Sequence, residues 1–388
     1  MKKLIFVIFS IISFEINALS ADSLKKLVVI NQTQFSFGSS HLNKKIFNKL
    51  YFGGKLNDDD KGKINTINQL QRSGLELDLN FGSQFYINEK IWYVNFQNII
   101  TTAGQYEQGL FDLFFRGNSE LNQEISLTRT AFHFRNHHLF HFGKFQKFGR
   151  VGITLGSINQ EYNIRFGENN YVDLTDPYQW NIISSPDIFF IENTSDFLQK
   201  NGNSLGFDLE ISNSNYEKAL QYNLAIFNLG AILLHNNLQT ISYDTNFTYS
   251  GLSLDQILNT DSSDNLLNDF KPQIDSLNRL IITPFQISAT VNYQKHNFNY
   301  YTGVFYRYNS QYLPKVYLGM NYTIKNKLIL GGVLSYGGYT KLQIGIDSEI
   351  QFQKFKAKLI IQNFTNFIPP MNRSFGVFLN LSYCLIKD

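Results

Sequence analysis

Alternation of apolar and polar side chains with period two is the feature that most narrows what this chain can fold into. Its clearest instance is residues 375–385, F-G-V-F-L-N-L-S-Y-C-L. Successive side chains of a strand point to opposite faces, so Phe375, Val377, Leu379, Leu381, Tyr383 and Leu385 share one face, all apolar or aromatic. Gly376, Phe378, Asn380, Ser382 and Cys384 form the other, which is mixed and mostly small or polar. About ten residues with one greasy face suit a transmembrane barrel. A soluble β-sandwich contains such strands too, so the decision rests on whether the pattern recurs and where the chain is sent.

The destination is read from the start of the chain. Residues 1–21 have the form of a secretory signal peptide: Lys2 and Lys3, an apolar stretch over 4–14, and the cleavage zone Ala18-Leu19-Ser20-Ala21. That apolar stretch is too short to span a membrane as a helix, and no later stretch reaches the length needed. Residues 22–388 are therefore expected to be exported, as one domain. With Cys384 as its single cysteine the chain has no disulfide framework, and it must hold together by packing or by closing a sheet.

Elsewhere the alternation recurs. Leu75, Leu77, Leu79 and Phe81 oppose Glu76, Asp78 and Asn80, and Leu205, Phe207, Leu209 and Ile211 oppose Asp208 and Glu210. From residue 283 onward the chain reads as a meander of strands with tight polar turns. Residues 124–134 and 139–146 flank Asn136-His137-His138 and read as a hairpin. A three-residue turn sets Phe134 opposite Phe140 and His133 opposite His141; the phenylalanines then face lipid, while the histidines share the other face with Arg129 and Arg135. A slip by one residue mixes the faces.

Residues 151–166, interrupted near Asn159-Gln160, count as one strand, giving an all-β, antiparallel transmembrane barrel of about 16 strands within a range of 14–18. Two stretches break the pattern, 39–73 and 251–280, and their apolar spacing predicts short helical insertions. Aromatic content of 15%, with 36 Phe and 22 Tyr, suits the girdles of a barrel at the two membrane interfaces. A net charge of +3 with scattered basic residues points away from nucleic acid.

With the segments laid out, the chain resembles a family of outer-membrane β-barrels of unknown function. The likeness is carried by residues 109–118 (GLFDLFFRGN), 227–254 and 308–319, and extends loosely over most of the exported chain. The Asn-Pro-Ala-like segment usual after the signal in that family is absent. A broader similarity runs to barrels of the fatty-acid-transporter type and to small barrels of secretion and gliding machinery. The resemblance implies fold and an outer-membrane location, with lipid and the barrel assembly machinery as partners, and no mechanism.

Chemistry is sparser. His133, His137, His138 and His141 are the most suggestive cluster, since imidazoles ligate transition metals, but nothing local supplies a third ligand beside His133 and His141, and polar lining is the better reading. Asp58-Asp59-Asp60 lacks the spacing of a calcium loop. No Ser-His pair oriented by a third group is found, nor a phosphate loop or a zinc motif, so no enzymatic activity, cofactor or metal is expected. Glu76, Asp78, Arg129, His133, Arg135, His141, Asp208 and Glu210 are the expected lining of a charged, hydrated lumen. Two functions are compatible with this: passive passage or binding of small or apolar molecules, and a structural anchor for a secretion or surface-assembly complex with an occluded lumen.

Overall fold

A sheet with one greasy and one polar face can bury its edges only by pairing its last strand with its first. The computed structural model of the protein has this arrangement. It describes residues 26–42, 46, 49, 53–55, 57, 69–87, 90–116, 123–176, 179–191, 199–213, 219–242, 245–249, 273–276, 278–308, 310–325, 327–352, 354–364 and 373–386. The expected signal peptide, the Asp58-Asp59-Asp60 cluster and most of both predicted helical insertions lie outside the described residues.

Fourteen strands form the closed wall. They are Lys26–Ser39 (β1), Leu70–Ile87 (β2), Lys90–Glu107 (β3), Ala131–Gln146 (β4), Gly149–Phe166 (β5), Gly202–Ser212 (β6) and Leu220–Leu234 (β7), followed by Gln286–Lys295 (β8), Phe298–Arg307 (β9), Leu313–Ile324 (β10), Leu328–Gly338 (β11), Thr340–Phe352 (β12), Phe355–Ile361 (β13) and Ser374–Ile386 (β14). Each pairs antiparallel with the next, and β14 pairs with β1 over Lys26↔Ile386 to Gly38↔Ser374. Brief connections such as 147–148, 296–297 and 325–327 sit at one end together with the start of β1 and the end of β14. His296 and Lys325 take left-handed backbone there, as tight turns demand. Gly149, at φ +143°, opens β5 where a Cβ would collide with the Glu210 carbonyl. The opposite end carries the long connections 40–69, 108–130, 167–201 and 235–285.

The outward face is apolar nearly all the way round. Phe140, Phe142, Ile153, Leu155, Leu205, Phe207, Leu224, Leu318, Leu334 and Ile344 are each more than two-fifths exposed. A surface of this kind is far larger than any apolar patch a soluble monomer tolerates and is matched to hydrocarbon. Leu205, 61% exposed, belongs to this belt and is paired with Leu155 on β5 and Ala231 on β7. Leu205→Arg is expected to cost about 1–4 kcal/mol of folding free energy in lipid vesicles, read as a lowered urea midpoint.

The wall is uneven in height. At about 3.3 Å per residue, the eighteen residues of β2, β3 and β5 run much further than the ~25 Å apolar band requires, whereas β13 has seven. On the tall side the loop end carries a cap. The short strands Glu124–Ser126, Tyr171–Asp176, Gln179–Ser184 and Thr245–Tyr249 form a second sheet. A helix, Gln108–Arg116 (α1), packs on it through Leu110 and Leu113 against the buried Ile125, Leu127, Val172 and Leu174. Its i,i+4 pair Phe111–Phe115, at 4.6 Å between ring centroids, supports the helical turn. Beyond the start of β6 at Gly202, the buried Ile158, Phe189, Ile191, Ile232, Leu234 and Leu238 pack together.

Several expectations need correction. The hairpin at Asn136-His137-His138 does not exist: residues 131–146 run straight through as β4, and the cap strand Glu124–Ser126 is separate from it. The polar run reads as a turn in isolation, yet each of its members finds a partner in the wall. Residues 239–249 belong to the rim and cap, since the five residues of Leu238–Ser242 span only about 17 Å and are too short to cross the band. Of the 16 expected strands, 124–134 and 139–146 merge into one and 239–249 leaves the wall, which gives the observed 14. The stretch 167–202 holds three short strands, and the described helix α1 falls in the long connection between β3 and β4. The interruption near Asn159 is a bulge, with Asn136↔Gln160 followed by His137↔Ile158.

Candidate functional site

Alternation and register together lay the inward side chains out in rows across neighbouring strands. One row runs Ser36↔Glu76↔Thr101↔Arg135↔Glu161. Two residues nearer the brief-turn end the row is Gln34↔Asp78↔Ile99↔His137↔Ile158, and the next is Gln32↔Asn80↔Gln97↔Leu139↔Gly156. Asn95↔His141↔Thr154↔Gly206 follows. The first row carries three ionisable groups and the later ones mix amides with histidine, Asp78 and aliphatic residues, so the lumen changes character along its length.

The charged row crosses the lumen toward the loop end. Arg135 donates from Nη2 to Glu161 Oε1 at 2.7 Å and from Nε to Oε2, with both side chains essentially inaccessible. From across the barrel, Arg307 at the end of β9 reaches Glu76, and this pair too is buried. His133 is buried beside them. The space left between Thr101, His133, Arg135, His137, Pro284 and Arg307 amounts to 10 Å³, about enough for one water. Buried pairs like these are strongly held only while both partners stay, because an unpaired charge there keeps the full desolvation cost. Above them Tyr312 and Tyr339 meet edge to face at 5.0 Å, and Tyr339 Oη donates to the Ser310 carbonyl at 3.0 Å. Burial raises both phenols' pKa, and the Glu76 carboxylate adds to the effect.

Below the charged row lies a chamber of about 230 Å³. On one wall Gln97 Nε2 donates to both oxygens of Asp78, at 2.9 and 2.8 Å, which turns its Oε1 toward His141 Nε2 at 3.0 Å. His141 Nδ1 lies 2.7 Å from Asp208 Oδ2, so an acceptor faces each ring nitrogen. Thr154 Oγ1 donates to Asp208 Oδ1 at 2.9 Å, and the Asn228 backbone N–H donates to the same oxygen at 2.8 Å. Beside this chain Arg150 pairs with Glu210 at 2.7 Å and is sandwiched between the Phe227 and Tyr93 rings, 4.4 and 5.2 Å from its guanidinium carbon. Tyr93 lies flat across Gly143 and Gly152, where any Cβ would displace its hydroxyl. Across the barrel, Asp347 accepts from Lys358 at 3.1 Å and Asn321 at 3.3 Å, and Lys356 pairs with Glu349 at 2.8 Å.

Glu76, Asp78, His133, Arg135, His141, Asp208 and Glu210 therefore all point inward. Arg129 does not. It sits at the loop end between the cap and β4, half exposed, and its Nε donates to Glu107 at 2.9 Å. The early start assigned to β4 put it on the wall in error. His133 and His141 are also not side by side: they stand eight residues apart on one strand, roughly 26 Å along it. Their shared face persists, because period two holds without a break through β4, with Phe132, Phe140 and Phe142 exposed on the other side.

His138 is on that outward side, where Asn98 Nδ2 contacts its Nδ1 at 2.9 Å and donates to Asn136 Oδ1 at 2.8 Å. A Ser–His side-chain contact, His137 Nε2 to Ser204 Oγ at 2.9 Å, is sealed in the wall with no partner at Nδ1. The reading of the sequence missed Glu161, Gln97, Thr154 and Arg150. For Glu161 a signal exists: the extra residue at Asn159 reverses the parity of β5, bringing an odd-numbered position inward. Among the described residues no group of three or more His, Cys, Asp or Glu is placed to hold a metal.

No family model matches the chain. No curated protein matches it either. Solved structures do resemble it. A deletion mutant of the monoaromatic hydrocarbon channel TodX aligns at 8% identity and a TM-score of 0.42, covering 93% of this chain and 89% of that one. The toluene transporter TodX of Pseudomonas putida gives 8% and 0.34 over 94% and 89%. The translocator domain of the autotransporter NalP from Neisseria meningitidis gives 8% and 0.28 over 92% and 88%.

Proposed function

We propose that the protein is an integral outer-membrane barrel that passively admits small polar molecules to a chamber in its lumen, with the ion-pair row acting as the constriction between that chamber and the loop end. The chamber itself carries this reading: space of about 230 Å³ within the barrel, lined mainly by amides and charged groups, with a pocket of only 10 Å³ beside Arg135 and Arg307. The polar lining favours hydrated solutes over apolar ones, which gain nothing from leaving water for such a surface. Residues 1–21 serve as the export signal, outer-membrane lipid surrounds the apolar belt, and the barrel assembly machinery inserts it.

A second reading, a structural anchor or partner of a secretion or surface-assembly complex, draws on the same constriction and on the cap of α1 and its sheet. Conductance of the purified protein in planar bilayers separates the two. The conduit reading expects small, infrequent openings in the unmodified protein. A lumen that stays silent at every voltage and salt concentration sinks it and leaves the anchor.

A further inference from the structure

We infer that the chamber is a binding site for a neutral, hydroxyl-rich molecule of monosaccharide size, an assignment that rests on the reading of the lumen as open to small polar solutes. The volume sets an upper limit. At about 230 Å³ the chamber is below the roughly 300–1,000 Å³ of sites for drug-sized ligands, so it takes something smaller.

Charge comes next. The ionised groups at the chamber are already engaged with one another or with neighbouring donors: Asp208 by His141, Thr154 and the Asn228 backbone N–H, Asp78 by Gln97, and Arg150 by Glu210. A charged ligand would have to break one of these contacts to gain a counter-charge, which costs more than it returns in a partly desolvated space. A neutral ligand has no such cost.

Five carboxamides line the same space without a side-chain hydrogen bond to any described residue: Gln32 and Gln34 on β1, Asn80 on β2, Asn95 on β3 and Gln286 on β8. Each offers two donors and an acceptor, and a hydroxyl is both a donor and an acceptor, so one amide can satisfy one or two adjacent hydroxyls. Gln32 and Asn80 are direct cross-strand partners, as are Gln34 and Asp78, which sets their backbones about 5 Å apart and brings their head groups to bear on one small molecule. Phe378 supplies an apolar surface to the same chamber. The C–H face of a sugar ring fits such a surface while its hydroxyls meet the amides.

The test uses the detergent-purified full-length barrel and four probes: D-glucose, glycine, sodium phosphate and toluene, with binding followed by calorimetry and ligand-observed NMR. D-glucose is expected to bind with a dissociation constant of millimolar order, and the other three about tenfold or more weakly. Asn80→Leu and Gln286→Leu sit on different strands, and each is expected to weaken glucose binding by about tenfold through loss of amide contacts. Heat-dependent gel mobility confirms that each variant is folded, and two positions guard against one variant failing to insert. Glucose affinity unchanged in both folded variants, or glycine or phosphate binding more tightly than glucose, overturns the assignment. Swelling of protein-loaded liposomes in urea reports separately on the conduit: swelling without glucose binding removes the sugar site and keeps the conduit, whereas glucose binding without swelling does the reverse.

Discussion

Replacing Arg307 by alanine is expected to raise the conductance of the barrel several-fold and to lengthen its open times. Arg307 reaches across the lumen to Glu76, the two side chains are 5% and 3% exposed, and Arg307 borders a pocket of only 10 Å³. Truncation removes the guanidinium and leaves a polar, roomy gap that water will fill, joining the chamber to the space beneath the cap. The same change strands the Glu76 carboxylate, so a loss of about 3–5 kcal/mol in stability accompanies the gain in conductance. Glu76→Gln combined with Arg307→Ala is expected to keep the open lumen while recovering much of that loss, because a neutral amide tolerates the site without a counter-charge. Planar-bilayer recording of the three proteins, with urea titration in vesicles, reads both effects. Unchanged conductance in a folded Arg307→Ala barrel would show that the closure lies in the cap and not in the ion-pair row.

The inward orientation of Glu76 was legible in the sequence; the strand that supplies its partner was not. Parity within a strand is written in the order of residues: the outward row of β14 follows from Phe375 to Leu385 alone. Which strands pair, and at what offset, is not. That is why Arg135 appeared as the lip of a hairpin, when its true partner is Glu161, 26 residues on. A run of Arg, Asn and two His looks like a solvated turn unless the partners that satisfy it are known, and those come from four other places: Glu161, Asn98, Asn159 and Ser204. Asn98 and Asn159 also sit at positions that a strict in-out alternation would give to lipid or leave undefined. The chamber was harder still to foresee. Gln32, Gln34 and Asn80 are ordinary polar alternations on β1 and β2, and only the register that pairs Gln32 with Asn80 makes a cluster of them.

Arg135→Leu is expected to be among the most damaging single substitutions in the wall, lowering stability by about 3–5 kcal/mol. Glu161 has no exposed surface and no other cation within hydrogen-bonding reach among the described residues, and both its oxygens are taken by the one guanidinium. Without Arg135 the carboxylate must stay ionised and unpaired, or take up a proton, and either course destabilises the folded barrel. Leucine fills part of the volume, so packing contributes less to the loss than charge does. The discriminating measurement is the double variant Arg135→Leu with Glu161→Leu. If the pair's worth lies mainly in mutual neutralisation, the double variant should return to within about 1–2 kcal/mol of the unmodified protein, since hydrophobic replacement of a whole buried pair is often neutral or better. A double variant as unstable as the single one would mean instead that the bidentate geometry itself fixes the register of β4 against β5. The bulge at Asn159, one residue from the turn in parity that brings Glu161 inward, is where that register is decided. Hydrogen exchange of the β5 amides on either side of it would then be expected to rise in both variants, and to stay at the unmodified level if neutralisation alone is at work.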